Sequence, residues 1–342
     1  MTRGLRTPWE GGRALALLEV RQLAVTFPTP HGPLAAVRDV SFGVEAGEIF
    51  ALVGESGSGK SSLLAALAGM LPPGADTAGQ AVLAGRNLLT LDARAWRALR
   101  GRHLAVVFQE SGDALDPTMI VGRQVAEVCA LHHHLPARAA WTDALDHLRR
   151  IGLAEGAARA YPHELSGGMR RRALLALALA GDPTVLLADE PTAGLDATVA
   201  AQVADVLGAL SAQRGLTLLL VTHQLGLVAR LADRVAVLYA GRMVEQGSAA
   251  DVLLRPAHPY TQALLAAAPP APGAEVRAPS PLPGSAPDPL LPPPGCPFAP
   301  RCAWVLPACG AGWPPALPAP NGGNGHCVHC WLHTPDAEGR RA

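Results

Sequence analysis

The chain has 342 residues, of which 49% are hydrophobic, with 28 basic and 28 acidic side chains. That length and apolar content are enough for a large core plus a smaller appended unit, and they exclude a chain disordered throughout. A formal net charge of zero excludes the broad basic field of a dedicated nucleic-acid binder, so any partner must be recognised locally.

Alternating, β-branched patterns over Leu17 to Phe27 and Ala35 to Val44, and an apolar run from Glu48 to Val53, predict three opening strands. A Gly-rich loop follows, then a helix from Lys60 to Gly69, stopped there with Pro72 and Pro73 beyond. His103 to Phe108 reads as a buried strand. The stretch from about Asp92 to Arg150 is mostly helical in pattern, interrupted at Pro117, and looks like an insertion between strands. A helix from Ser166, a strand from Thr184 to Asp189, a helix from Ala197 to Gln213 and a strand from Leu216 to Thr222 alternate as in a parallel α/β sheet. Composition shifts after Ala268: Pro269 to Pro294 carries 11 prolines in 26 residues, which predicts an extended linker or wrapping segment. Five of the six cysteines follow it, so the chain from about Pro256 is expected to be a separate unit. No uninterrupted apolar run reaches the ~18 residues of a membrane span. The N-terminal run Ala14 to Leu18 is too short for the apolar region of a signal peptide, which places the chain in the cytoplasm.

The 28 cations are 27 arginines and one lysine, Lys60. Such depletion fits a genome-wide bias toward Arg, Ala, Gly and Pro, and it turns the exception into a chemical question. Gly54-Glu55-Ser56-Gly57-Ser58-Gly59-Lys60-Ser61 fits the phosphate-loop pattern G-x-x-x-x-G-K-[ST], directly after an apolar strand and directly before a helix. In that context the glycines let backbone N–H groups wrap phosphates and the helix start favours negative charge. Lys60 reaches the β and γ phosphates, the Ser61 hydroxyl ligates Mg²⁺, and Ser62 lies beside them. Val185-Leu186-Leu187-Ala188-Asp189-Glu190 is an apolar strand ending in two carboxylates. Neighbouring strand residues point oppositely, so the two have different tasks: Asp189 faces Mg²⁺, and Glu190 is placed to polarise the attacking water as general base.

Cys296, Cys302, Cys309, Cys327 and Cys330 crowd a short tail. In a reducing compartment they suggest metal ligands more than disulfides. Four soft ligands suit a [4Fe–4S] cluster or tetrahedral Zn²⁺, spacing alone does not choose between them, and a metal-free structural staple remains open. The run His132, His133, His134 reads as solvated surface, because adjacent histidines on a helix do not all face one ion. Cys129, on an apolar stretch, reads as core.

Further motifs identify the kind of phosphate-loop protein. Leu165-Ser166-Gly167-Gly168-Met169 resembles the ABC signature, Gln109 in Val107-Phe108-Gln109-Glu110 the Q-loop, Asp196 in Gly194-Leu195-Asp196 the D-loop, and His223 in Val221-Thr222-His223 the switch histidine. They occur in the order of the ABC transporter ATPases, which the chain resembles over about residues 17 to 255. Phe27 resembles the aromatic that stacks on adenine; the alternative is an ordinary buried strand Phe. Tyr161-Pro162-His163-Glu164, Met169, His258-Pro259-Tyr260 and Gly295-Cys296-Pro297-Phe298-Ala299-Pro300-Arg301-Cys302 resemble the oligopeptide/dipeptide/nickel importer subgroup. Two departures bear on coupling more than on hydrolysis: Arg170-Arg171-Arg172 stands where a middle Gln is usual, and Gln224 follows His223 where Asp is common.

The resemblance implies an α/β P-loop NTPase of ABC type with an antiparallel β subdomain, an inserted helical subdomain (about 92 to 165) and an appended Cys-containing C-terminal tail. Residues 1 to 16 form an N-terminal extension, 17 to 255 the ATPase domain, and 256 to 342 the C-terminal region. It implies an ATPase with ATP and Mg²⁺ as cofactors that energises peptide import by ATP-driven dimer closure. Gln109 then senses Mg²⁺ or water, His223 contacts the γ-phosphate, and residues 165 to 169 act on the ATP of a partner cassette. Cys296, Cys302, Cys309 and Cys330 become the cluster or Zn²⁺ ligands, with Cys327 spare. The implied partners are a sister ATPase in a heterodimer, two transmembrane permease subunits and, through them, an extracytoplasmic solute-binding protein, with no nucleic acid. The implied location is peripheral, on the cytoplasmic face of the membrane. The competing readings are an importer of nickel or another small solute, an ABC ATPase acting on nucleic acid or ribosomes, and a nucleotide sensor without turnover.

Overall fold

The computed structural model describes residues 16–109, 114–268, 282 and 284–334. The expected N-terminal extension up to residue 15, Glu110 of the expected Q-loop, residues 269–281 and 283 of the Pro-rich segment and residues 335–342 of the expected C-terminal region lie outside the described residues. In chain order the elements are β1 (Leu18–Thr29), β2 (Gly32–Val44), β3 (Ile49–Val53), α1 (Lys60–Leu67), β4 (Asp76–Leu83), β5 (Arg86–Asn87), α2 (Ala93–Leu99) and β6 (Leu104–Val107). Then come α3 (Val121–His133), α4 (Ala137–Arg150), α5 (Glu155–Ala158), α6 (Gly167–Leu179), β7 (Val185–Asp189), α7 (Ala197–Arg214) and β8 (Thr217–Val221). The remainder is α8 (Leu225–Leu231), β9 (Arg234–Tyr239), β10 (Arg242–Ser248), α9 (Ala249–Leu254), α10 (Pro259–Ala267), α11 (Ala308–Ala311), β11 (Leu317–Pro318) and β12 (Cys327–Val328).

These elements fall into two compact units. The first comprises Met1–Glu45, Phe50–Leu89 and His223–Ala342, and the second Ala46–Ile49 and Thr90–Thr222. In the first, β2, β1, β4 and β5 form an antiparallel sheet in that order. Strand β3 runs parallel to β9, which pairs antiparallel with β10, and β12 joins β10 to β11. Sequence reading finds β1, β2 and β3 but not β4, β9 or β10. The first five residues of β4 are exposed, so its buried alternation appears only at Ala81 and Leu83.

In the second unit β6, β7 and β8 are parallel. Every residue of β7 and β8 is buried, as expected of parallel strands covered on both faces, which is why both read as unbroken apolar runs. Helix starts are fixed by side-chain caps legible in the sequence: Asp92 accepts the Ala95 N–H, Ser166 the Met169 N–H and Asp196 the Val199 N–H. The helical stretch expected from Asp92 to Arg150 is three helices with β6 between the first two. Of the Pro-rich segment, the described part runs along β2: Ala35 donates its N–H to Pro289 O at 3.3 Å and Arg38 Nη2 donates to Pro293 O at 3.1 Å.

Candidate functional site

The loop from Gly54 to Gly59 turns from the end of β3 into α1 through backbone conformations that glycine permits. Gly54 has φ +152° and Gly59 φ +97°, and a Cβ on either would lie 2.2 Å from a backbone oxygen, Leu238 O and Ala36 O respectively. Only a bare backbone passes there. Lys60, 8% exposed, points back into this loop. Its Nζ donates to Gly54 O at 2.8 Å, to Glu55 O at 2.8 Å and to Ser58 Oγ at 3.0 Å. The ammonium is thus held where an incoming phosphate would replace neutral oxygens with charged ones. Ser56, Gly57 and Ser61 are exposed, Ser62 is half-buried, and Phe27 is half-exposed near the end of β1 rather than in the core.

Two side chains from the C-terminal region reach this loop. Tyr260 Oη on α10 accepts the Glu55 N–H at 2.8 Å, and Arg301 pairs with the Glu55 carboxylate at 2.8 and 3.1 Å. Sequence reading placed both residues in motifs of the tail and assigned neither to the loop, because the partner lies more than two hundred positions away. His223 also belongs to this first unit and is exposed.

The second unit collects the expected carboxylate strand, signature, Q-loop and D-loop. Asp189 and Glu190 are buried at the end of β7. Glu190 adopts φ +50°, a conformation that β-carbon-bearing residues rarely hold. Its N–H donates to Val221 O at 2.8 Å, its Oε2 accepts from Thr222 Oγ1 at 3.0 Å, and its carbonyl accepts from Arg171 Nη2 and from the Ala193 N–H at 3.0 Å. Arg171, 9% exposed on α6, also donates to Asp189 O at 3.0 Å and to Gln109 O. One guanidinium therefore ties the signature helix to the carboxylate strand and to Gln109, whose side chain remains exposed. The sequence signal was the departure at the middle arginine; its acceptors could not be read from it. Ser166 caps α6 and is exposed with Gly167, and Asp196 caps α7.

In the C-terminal region Cys296, Cys302, Cys309 and Cys330 line one cavity, whose enclosed volume is only about 10 Å³ because the side chains close in on one another. Cys327 lies on β12 opposite Gln246 and does not line it. Burial pushes the Cys296 thiol up to about 11 and the Cys330 thiol up to about 12. His258, 1% exposed, lines the same cavity. Its Nδ1 accepts the Tyr260 N–H at 3.0 Å, so the neutral ring carries its proton on Nε2, which has no protein partner. The buried carboxylate of Glu245 anchors the surroundings by accepting from Ala257 N, His258 N and His326 Nε2, each at 2.8 Å.

The histidine run departs from the solvated surface expected of it. His134 is exposed, but His132 and His133 are half-buried, and His133 Nε2 lies 3.0 Å from Ala180 O. The helix end packs two consecutive rings against the turn after α6, a tertiary contact that helical spacing does not reveal. Cys129 is fully buried as expected, but beside polar neighbours: its sulfur and donor atoms of Asp143 and His147 lie within 4.8 Å of one another. Burial, and secondarily Asp143, push its thiol up to about 12.

An ATP-hydrolysing cassette of the ABC type is the class of protein that this combination of fold and motifs defines. Residues 37–193 match the family described as ABC transporter, and residues 244–309 match the one described as oligopeptide/dipeptide transporter, C-terminal region. The chain is 40% identical over 328 residues to the dipeptide transport ATP-binding protein DppD of Bacillus subtilis (strain 168), covering 94% of this chain and 96% of that protein. It is 42% identical over 300 residues to the oligopeptide transport ATP-binding protein OppD of Salmonella typhimurium (strain LT2), covering 86% and 89%. A solved dimeric ATP-binding cassette in a post-hydrolysis state, bound to ADP and phosphate, matches with a TM-score of 0.63 and 25% identity over 68% of this chain and 98% of that one. The chain belongs to the ABC transporter family of ATP-binding proteins, in its oligopeptide/dipeptide branch.

Proposed function

We propose that this chain energises the import of di- or oligopeptides across a membrane by ATP-driven closure of paired cassettes. The match of residues 244–309 to the oligopeptide/dipeptide C-terminal region carries the peptide reading. Among the described residues no helix is long and apolar enough to cross a membrane, which fits a cassette working peripherally with two permease subunits, a sister ATPase and an external binding protein.

In this reading Lys60 exchanges its loop acceptors for the β and γ phosphate oxygens, and the N–H groups from Ser56 to Ser62 wrap them. Phe27, half-exposed, stacks on adenine. Ser61, Gln109 and Asp189 offer the hard oxygens that suit Mg²⁺, which when bound neutralises charge on the phosphates. Glu190, oriented by Thr222, accepts the proton of the attacking water as that water bonds to the γ-phosphorus and the bond to ADP breaks, releasing ADP and phosphate. His223 contacts the γ-phosphate. Leu165, Ser166, Gly167, Gly168 and Met169 present a helix start to the ATP of the partner cassette, and Asp196 lies at the same junction.

The four thiols of the cavity form a second site, which we assign to a [4Fe–4S] cluster. The donor set fits: four soft ligands in a buried cavity with an unpartnered His258 N–H at its wall. A single tetrahedral Zn²⁺ draws its sulfurs to within about 4 Å of one another. The same four sulfurs also suit such an ion, which makes Zn²⁺ the competing occupant that metal analysis distinguishes. A bound cluster would supply a rigid cross-link for the tail.

Purification from detergent-solubilised membranes tests the main reading. Two multispanning proteins and a sister ATPase are expected, and ribosomal proteins or DNA in their place would overturn it. Offering the co-assembled binding protein peptides and Ni²⁺ separates the two cargo readings. Anaerobic preparation with iron and sulfide analysis tests the cluster, and a colourless, zinc-loaded chain would overturn it.

A further inference from the structure

Two side chains of the C-terminal region reach Glu55 of the phosphate loop from two directions. Arg301 ends the single turn Ala299–Arg301, which lies between Cys296 and Cys302. Its side chain is 5% exposed and grips both carboxylate oxygens of Glu55. Nη1 also donates to Tyr239 Oη at 3.0 Å, and the guanidinium lies over the Tyr239 and Phe298 rings at 5.7 and 5.9 Å. Tyr260, fully buried and stacked at an angle against Tyr239, accepts the Glu55 N–H. The Glu55 carbonyl accepts from Lys60 Nζ at 2.8 Å. Hydrogen bonds and one short loop thus connect two of the four cavity thiols to the only lysine of the chain.

We propose that the C-terminal region is a working part of the ATP site: Arg301 and Tyr260 are positioning residues that set ATP affinity through Glu55, and filling the thiol cavity raises that affinity through Arg301. A phosphate loop binds well when its donors are already aimed, since any loop freedom must be removed on binding. A two-pronged, shielded Arg-carboxylate pair fixes both position and direction, which a lone ammonium would not. Ligand bonds at Cys296 and Cys302 pin the turn carrying Arg301 from both ends, so occupancy of the cavity and alignment of Glu55 favour each other. Reciprocity follows: ATP tightens retention of the occupant by the factor by which the occupant tightens ATP. This second limb rests on the cavity being a metal site.

The test uses the full chain, prepared anaerobically, with iron, zinc and sulfide measured before and after chelation. A fluorescent ATP analogue reports affinity, and steady-state hydrolysis separates KM from kcat. Arg301→Met and Glu55→Gln are each expected to weaken nucleotide binding about 10-fold and to raise KM more than they lower kcat, with Tyr260→Phe weakening it about 3-fold. The exchange of charges in Glu55→Arg with Arg301→Glu is expected to recover part of the loss. Stripping the cavity of wild-type protein is expected to weaken binding about 5- to 10-fold, and stripping Arg301→Met to add nothing further. Arg301→Met and Glu55→Gln proteins that melt earlier yet bind nucleotide as wild type does would reduce the pair to a tail anchor and overturn the proposal. A loaded protein that binds ATP no better than the stripped one overturns the coupling alone. A chain that retains neither iron nor zinc overturns the metal reading and, with it, the coupling, while leaving the Arg301 and Tyr260 arms to stand or fall separately.

Discussion

Each compact unit holds a buried cation against backbone carbonyl oxygens, Lys60 in the first and Arg171 in the second, and the two differ in what they are free to do. In the first unit Lys60 donates to Gly54 O, Glu55 O and Ser58 Oγ from a compact ammonium on a flexible stem. In the second, Arg171 donates to the carbonyls of Gln109, Asp189 and Glu190 from a planar fork. An ammonium can rotate its three protons from one acceptor set to another, whereas a guanidinium fixes the geometry between its acceptors. The first arrangement suits a group that must change partners when phosphate arrives, the second a group that must not move. The lysine-poor composition then has a physical reading: arginine serves where a cation clamps or solvates, and lysine remains where the charge has to be handed over.

Exchanging the two chemistries breaks this comparison most severely at the phosphate loop. Lys60→Arg is expected to weaken ATP binding by about 100-fold, since the broader fork neither fits the loop nor re-aims its protons. Titration with a fluorescent nucleotide checks this, and wild-type affinity would return Lys60 to compositional accident. Glu190→Gln leaves both cations in place and removes only the proton acceptor, so it should keep ATP binding, trap the closed pair and lower kcat by about 10² to 10⁴. Undiminished steady-state hydrolysis would refute the base assignment.

The clamp is the milder test. Arg171→Lys keeps a cation but cannot span three carbonyls, and Glu190 then loses one of the contacts that hold its φ of +50°. We expect kcat to fall about 10-fold with ATP affinity within about 2-fold of wild type, the reverse of the Lys60 pattern. Equal losses of affinity and rate in Arg171→Lys would mean that the arginine stabilises the unit as a whole.

What was legible in the sequence follows from how local each feature is. The phosphate loop, the apolar strand before Asp189 and the helix starts at Ser166 and Ala197 depend on neighbours within a few residues, and each is found where its pattern places it, Ser166 and Asp196 serving as the caps. Grouping of Cys296, Cys302, Cys309 and Cys330 without Cys327 was legible only through resemblance, because the alternation of β12 that turns Cys327 elsewhere spans two residues. Arg301 to Glu55, Arg171 to Glu190 and Glu245 to His326 were not legible, since each joins segments far apart in the chain. Strand β9 is an apolar run that carries no mark of which sheet it joins, and β10, with the sequence Arg242-Met243-Val244-Glu245-Gln246-Gly247-Ser248, shows neither an apolar run nor a clean alternation although its interior is buried.

The smallest effect separates the thiols of the two units. Cavity thiols in the first face one another, whereas Cys129 in the second faces Asp143 and His147. His147 is 6% exposed, and burial lowers its pKa against the raising influence of Asp143. The neutral ring is therefore favoured in the folded protein, while the unfolded chain takes up a proton near pH 6.5. Below that value the unfolded state binds more protons, so His147 contributes stability that is present above about pH 6.5 and is lost as pH falls toward its lowered folded value. His147→Gln removes this titration, and urea midpoints measured between pH 7.5 and pH 5.5 should decline less steeply in the variant than in wild type. An equal slope in both would place the acid sensitivity of this unit in other groups, and a steeper slope in the variant would mean that Asp143 holds the ring charged in the fold.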